Sequence, residues 1–266
     1  MSIFSSLTQQ YRTRVLAALR RGRVRRRMVD STAPASESLE DRALLSAVSY
    51  NATTDRVVFN ADADVENVVF VSSPDSDTLV IRGQLLTGGL LSDDVLTLQD
   101  DAVGNADFSL DATGSTLTID IGSSPVENLT INTFEDADRI QMLSSPASTT
   151  IDVFGGGDAD VMEVGTGFRM DTLFGDLNFD GGVGTDRLEL VDLESTVSDT
   201  ITLTDNSVEG IAPGDIGYSN IEDLMIDTTD LTPVTVDILS TNSETDTEID
   251  LTFADANSDP VPAIVT

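Results

Sequence analysis

From residue 54 onward one short unit recurs, a small or acidic pair followed by alternating apolar residues. It reads Thr54-Asp55-Arg56-Val57-Val58-Phe59, Ser76-Asp77-Thr78-Leu79-Val80-Ile81, Asp93-Asp94-Val95-Leu96-Thr97-Leu98, Ser115-Thr116-Leu117-Thr118-Ile119, Ala137-Asp138-Arg139-Ile140-Gln141-Met142, Ala159-Asp160-Val161-Met162-Glu163-Val164 and Thr185-Asp186-Arg187-Leu188-Glu189-Leu190. Numbered by its second residue, the unit falls at 55, 77, 94, 116, 138, 160 and 186, at intervals of 22, 17, 22, 22, 22 and 26. Such alternation marks strands, and no helix-period stretch interrupts it. A companion unit, Val65-Glu66-Asn67-Val68-Val69-Phe70, Val126-Glu127-Asn128-Leu129-Thr130-Ile131 and Ile221-Glu222-Asp223-Leu224-Met225-Ile226, falls about ten residues from the first, so each period holds at least two strands. A fixed period of this length predicts an all-β chain built as a parallel β-solenoid (β-helix) with coils of about 22 residues. The alternative is an antiparallel β-sandwich, whose strands also recur at short regular spacing.

Residue types narrow the chemistry. The 266 residues include no Cys, His, Trp or Lys, which removes disulfides, Cys/His metal sites, Cys nucleophiles, Ser/His/Asp triads and lysine Schiff bases. Carboxylates, hydroxyls and backbone groups remain. All eight Arg of residues 1–29 stand without an acid, whereas residues 30–266 hold 35 Asp and 12 Glu against six Arg, a balance of −41. An acidic body of this kind repels nucleic acid and anionic lipid and attracts cations. The divisions expected are an Arg-rich leader over 1–49, largely disordered or helical, a solenoid over 50–230, and C-terminal strands over 231–266 that read as the start of a further domain or as a truncated end. No apolar run has the length of a transmembrane helix or the order of a standard signal peptide.

The string Leu39-Glu40-Asp41-Arg42-Ala43-Leu44-Leu45-Ser46-Ala47, behind the arginine cluster, resembles the N-terminal leader of large exported and surface proteins of planctomycete bacteria, Leu-Glu-x-Arg-x-Leu-Leu-Ser. The resemblance implies an extracellular or cell-surface location.

Two Gly/Asp turns suggest ion chemistry. Gly181-Gly182-Val183-Gly184-Thr185-Asp186-Arg187-Leu188-Glu189 is similar to the nonapeptide of hemolysin-type (RTX) calcium-binding β-rolls, and Gly155-Gly156-Gly157-Asp158-Ala159-Asp160-Val161-Met162 is a second copy with Asp158 at the fourth position. The resemblance implies Ca²⁺ held by glycine carbonyls and Asp carboxylates, with Gly155, Gly156, Asp160, Gly181, Gly182, Gly184 and Asp186 as ligand positions; Asp158, where the family has glycine, adds a carboxylate and is a further candidate ligand. The copies lie 26 residues apart, so no continuous ladder of ions follows. Asp136-Ala137-Asp138 is a weaker copy without glycines. Asp176-Leu177-Asn178-Phe179-Asp180-Gly181 also matches the opening of an EF-hand or dockerin loop, but position twelve is Arg187 and a strand pattern follows, which excludes those folds. The cluster Asp171, Asp176, Asn178 and Asp180 stays a candidate ligand set.

The function expected is a non-catalytic cell-surface or extracellular structural or adhesive repeat protein, stabilised by calcium, with other cell-surface or matrix components as partners. The alternatives are a β-helix carbohydrate-active enzyme using paired Asp and a secreted ligand-binding protein.

Overall fold

The computed structural model describes residues 46–165, 169–193, 200–228 and 234–250, with the backbone of 264–265. Residues 1–45 of the leader expected over 1–49, Leu39 to Leu45 of its motif among them, lie outside the described residues, whereas residues 47–49 are already strand. Among the described residues every regular element is a strand, and no helix is long and apolar enough to cross a membrane. The local cause is visible in the chain: β-branched and aliphatic residues alternate with Asp, Asn, Ser and Thr, and Gly, Asp, Asn, Pro or Ser stands at the breaks. The strands form two open sheets, of 11 and 10 strands.

The N-terminal part is antiparallel. β1 (Ala47–Asn51) pairs with β2 (Arg56–Asn60) across a turn that holds Asp55 at φ 46°. β3 (Asn67–Asp75) opens the second sheet and folds back on β4 (Thr78–Thr87) around Asp77. β5 (Leu90–Asp93) adds to β4, β6 (Thr97–Asp100) returns to the first sheet parallel to β1, and β7 (Phe108–Leu110) with β8 (Thr116–Asp120) extends the antiparallel run on β4.

Direction then changes. β9 (Asn128–Asn132), β10 (Arg139–Met142), β11 (Thr150–Gly157), β12 (Val161–Val164), β13 (Leu177–Val183) and β14 (Arg187–Asp192) alternate between the sheets, and from β11 on each is parallel to the strand before it in the same sheet. β2 and β3 are the switch strands: each has an antiparallel partner on one side, and on the other β9 or β10 in parallel. Further on, β15 (Thr200–Leu203), β16 (Ser207–Glu209) and β17 (Ile216–Ser219) form an antiparallel insertion ending parallel to β13. β18 (Asp223–Thr228) lies parallel to β14, β19 (Thr235–Ile238) to β15, β20 (Asp246–Asp250) to β18 and β21 (Ile264–Val265) to β19.

Between the sheets the apolar residues stack by register. Val57, Leu129, Ile151, Leu177 and Ile216 form one column of the first sheet, and Phe59, Ile131, Val153, Phe179 and Tyr218 the next. The second sheet answers with Val69, Ile140, Met162, Leu188 and Leu224, then Val71, Met142, Val164, Leu190 and Ile226. Each fully buried aliphatic side chain contributes about 1.5–3 kcal/mol. With few aromatics to fill it, the interior is narrow enough for these columns to close it.

The regular interval is therefore real over part of its range. Successive second-sheet strands at Arg139, Val161 and Arg187 are 22 and 26 residues apart and stack in parallel. The units at 55, 77, 94 and 116 do not stack this way: Asp55 and Asp77 lie in hairpin turns, Asp94 links β5 to β6, and Thr116 opens an antiparallel strand. A period-two pattern bounded by Asp is the same for a hairpin and for a parallel circuit, because pleating sets which face a side chain takes and not which direction the next strand runs.

Candidate functional site

Asn67, Asp138, Asp160, Asp186 and Glu222 stand at the entries to β3, β10, β12, β14 and β18. Pairing of Val68 with Arg139, Arg139 with Val161, Val161 with Arg187 and Arg187 with Asp223 brings them onto one column. Adjacent strands lie about 4.8 Å apart, so each side chain reaches the backbone of its neighbour. The Asn67 amide donates to Asp138 Oδ1 at 2.6 Å, the Asp138 amide to Asp160 Oδ1 at 2.8 Å, the Asp160 amide to Asp186 Oδ1 at 2.8 Å, and the Asp186 amide to Glu222 Oε2 at 2.7 Å. The carbonyls run the other way: Asp138 O accepts from the Val161 amide and Asp160 O from the Arg187 amide, both at 2.9 Å. Each rung thus ties two circuits of chain through both of its polar backbone groups.

The second oxygens have no such use. Asp138 Oδ2, Asp160 Oδ2 and Asp186 Oδ2 are buried without a hydrogen-bond partner, on residues at most 2% exposed. Burial pushes the Asp138 carboxyl up to about 7; the Asn67 amides pull it down, the Asp160 charge raises it further, and the Thr133 hydroxyl lowers it. Burial pushes Asp160 to about 7 as well, with the charges of Asp186 and Asp158 adding to it against the Asp138 amide. Asp186 is raised by burial first and by Glu222 and Asp180 after it, with the Asp160 amide opposing.

The glycines of the turns make room for these groups. A methyl on Gly155 would overlap Asp160 Oδ2 and lie 2.6 Å from the Gly181 carbonyl oxygen, and one on Gly181 would lie 2.8 Å from Asp186 Cγ. Neither glycine has a positive φ. Gly156 and Gly182 do, at 108° and 98°, and there the backbone itself requires glycine. Gly184 packs against the Asp158 carbonyl, where a side chain would collide.

The remaining carboxylates and the amide of the calcium expectation lie off this row, and three of them have protein partners. Asp158 is exposed at φ 66°. Asp176 Oδ1 accepts the Asp215 amide at 3.1 Å, Asn178 donates its side-chain amide to Asp152 Oδ1 at 2.9 Å, and Asp180 Oδ1 accepts from Asn220 Nδ2 at 2.7 Å. Asp171 is half-buried in a turn. Asn178 and Asp180 lie on β13, where alternate side chains are spaced about 7 Å along an extended strand and do not wrap one ion as a calcium loop does. Among the described residues no group of three or more carboxylates is arranged to hold a metal ion. The structure brings Asp160 and Asp186 together with Gly155 and Gly181, and leaves the remaining set elsewhere.

The sequence reading passed over Asn67 and Glu222 on this column, although both occur in the companion unit. It also left Asp62 and Asp94 aside, which are 7% and 1% exposed. Comparison of the chain with protein-family models, curated proteins and solved structures returns no match.

Proposed function

We propose that the chain is a non-catalytic structural or adhesive module of the cell surface or extracellular space, built as a β-solenoid whose coils are clasped by an inner row of aspartates. The observation that carries this reading is the repeated amide-to-carboxylate bond from Asn67 to Glu222, which engages the inward acidic groups in joining coil to coil. Repetition of one coil-to-coil contact suits a protein that spans distance or displays a surface. The leader motif and the −41 body agree with an exterior setting in which partners are other surface or matrix components.

Calcium enters this reading through Asp160 Oδ2 and Asp186 Oδ2, buried oxygens that a cation or a proton would satisfy. Thermal unfolding with calcium, with magnesium at matched ionic strength and with chelator tests it. A melting temperature raised by calcium alone, and less so in Asp160→Asn and Asp186→Asn, supports ion binding at the turns. Identical melting in all three leaves protonation as the route.

A secreted binder is the second reading. It rests on a groove of about 340 Å³ on the outer face of the first sheet, lined by Asp152, Phe154, Asn178, Asp180 and Asn206, with Phe154 exposed at its edge. Retention of the protein on a polysaccharide, lost in Phe154→Ala, would favour it.

A further inference from the structure

At the N-terminal end of the interior, beyond the last carboxylate of the aspartate row, a second set of buried oxygens lies without partners. Ser46 Oγ, Asp62 Oδ2, Asn67 Oδ1 and Asp94 Oδ1 are all buried and make no ordinary hydrogen bond, on residues at most 7% exposed. They belong to one neighbourhood. Asn67 Nδ2 donates to the Asp62 carbonyl at 2.9 Å, the Asp62 charge is felt at Asp94, and the hydroxyl and amide of Ser46 lie against the Asp94 carboxylate.

The local fold explains how they come together. Continuing the antiparallel register of β1 and β2, in which Ala47 faces Asn60, places Ser46 beside Ala61, next to Asp62. The Asp94 amide donates to the Gly83 carbonyl at 3.2 Å, and Asp94 Oδ2 lies 2.9 Å from where a Cβ on Gly83 would stand. Asp94 therefore occupies space above a glycine, as Asp160 does above Gly155. Asn67 gives its side-chain nitrogen to Asp62 O, Val65 O and Asp138 Oδ1, which turns its unpaired oxygen to the other side.

The Asp64 amide donates to Asp62 Oδ1 at 3.0 Å and Ser46 lies against the Asp94 carboxylate, so one buried oxygen of each carboxylate is left without a donor. The arginines nearest in the chain are engaged elsewhere: Arg82 bonds Asp93 at 3.1 Å on the surface, and Arg56 bonds Thr130 Oγ1. A pair of buried carboxylates beside an amide oxygen and a hydroxyl is an all-oxygen set carrying two negative charges, which suits a hard divalent ion. Calcium accepts such ligands at 2.3–2.6 Å in flexible geometry, whereas magnesium keeps several waters and demands a near-ideal octahedron. A site this enclosed favours the ion that dehydrates more readily.

We propose that Ser46, Asp62, Asn67 and Asp94 form a calcium site that closes the N-terminal end of the interior. It is separate from the Gly/Asp turns at 155–186 and does not depend on ion binding there. An ion at this point joins the start of β1, the β2–β3 connection and the β5–β6 connection.

The test uses the full chain, with calcium as the probe, read by equilibrium dialysis and by melting temperature. Wild type, Asp160→Asn and Asp186→Asn are expected to bind calcium at this site with similar affinity. Asp94→Asn and Asp62→Asn should weaken binding tenfold or more, and Ser46→Ala, which leaves both charges in place, should weaken it less with an unchanged circular dichroism spectrum. Magnesium at matched ionic strength should raise the melting temperature less than calcium. Calcium affinity unchanged in both Asp94→Asn and Asp62→Asn would overturn the proposal. So would loss of binding in Asp186→Asn with retention in Asp94→Asn, which would place the ion at the turns instead. Absence of any binding to wild type overturns both sites.

Discussion

Asp186 is fixed from two sides: the Asp160 amide donates to Asp186 Oδ1 at 2.8 Å, and the Asp186 side chain fills the space beside Gly181, where any Cβ would strike it. A carboxylate with one oxygen in a strong bond and the other buried unpaired is stable in one protonation state more than the other. Its bonded oxygen favours charge and its burial opposes it, and for Asp138 and Asp160 burial is the larger effect.

Stability should therefore fall as pH rises. The folded carboxyls of Asp138 and Asp160 lie near 7 against an ordinary 3.8, so between about 4 and 7 the folded state binds more protons than the unfolded chain. Stabilisation from these groups is fully present below about 4, declines through that window and is absent above it. The two titrate as a coupled pair, so the transition belongs to both. Asp111 acts in the opposite sense, its carboxyl held low by the Thr113 hydroxyl and the amides of 114–116, and its contribution is lost only as pH falls below the ordinary carboxylate range. Melting temperatures at pH 5 and pH 8, at matched ionic strength and with chelator, should be higher at pH 5. Asp160→Asn should keep the acceptor, raise the pH 8 value and flatten the difference. A higher melting temperature at pH 8 would contradict the assignment.

Gly155 is glycine because of what faces it. Gly155→Ala would press a methyl onto Asp160 Oδ2 and the Gly181 carbonyl, so it should destabilise by about 1–3 kcal/mol, the range of overpacked interiors. In Asp160→Ala the same methyl meets only the carbonyl. A double-mutant cycle in urea should then give a coupling energy of about 0.5–3 kcal/mol, with Gly155→Ala milder when Asp160 is absent. Additive effects would mean that Gly155 serves another purpose.

How much of this could be read in the chain differs from residue to residue. Asp138, Asp160 and Asp186 announce themselves because they repeat before the same apolar alternation, and their strands do stack in parallel. Asn67 and Glu222 do not, because the column needs only a group that meets the neighbouring backbone, and Asn67 as a first rung accepts no amide from beyond it while Glu222 reaches with a longer side chain. Asp55 and Asp77 mislead for the converse reason: Asp suits a hairpin turn as well as a parallel step. The turn glycines invite a reading in terms of backbone freedom, which is right for Gly156 and Gly182. For Gly155 and Gly181 the requirement is space, which depends on a residue five positions later folding inward, and no local pattern records that.

Asp138 and Arg139 are adjacent in the chain and face opposite sides of the sheet, which separates the inner bonds from the outer charges. Asp138 Oδ1 accepts the Asn67 backbone amide at 2.6 Å and its side-chain amide at 3.0 Å, both buried. Asp138→Ala leaves the Asn67 backbone amide without a partner in the interior, while Asn67 Nδ2 keeps the Asp62 and Val65 carbonyls, and should cost about 1–3 kcal/mol, less what relief of the buried charge returns at pH 8. Arg139 instead pairs with Glu163 on the outer face, its own side chain 50% exposed and that of Glu163 12%. Salt reaches the half-exposed guanidinium and screens the pair in part, and Glu163 keeps the Gln141 side-chain amide as a donor when Arg139 is removed. Arg139→Ala should therefore shift the urea midpoint less than Asp138→Ala at pH 5, and less still in high salt, while the Asp138→Ala shift stays the same in either. Equal losses for the two variants, or a loss for Asp138→Ala that disappears in salt, would mean that surface charge and not the inner row joins the strands.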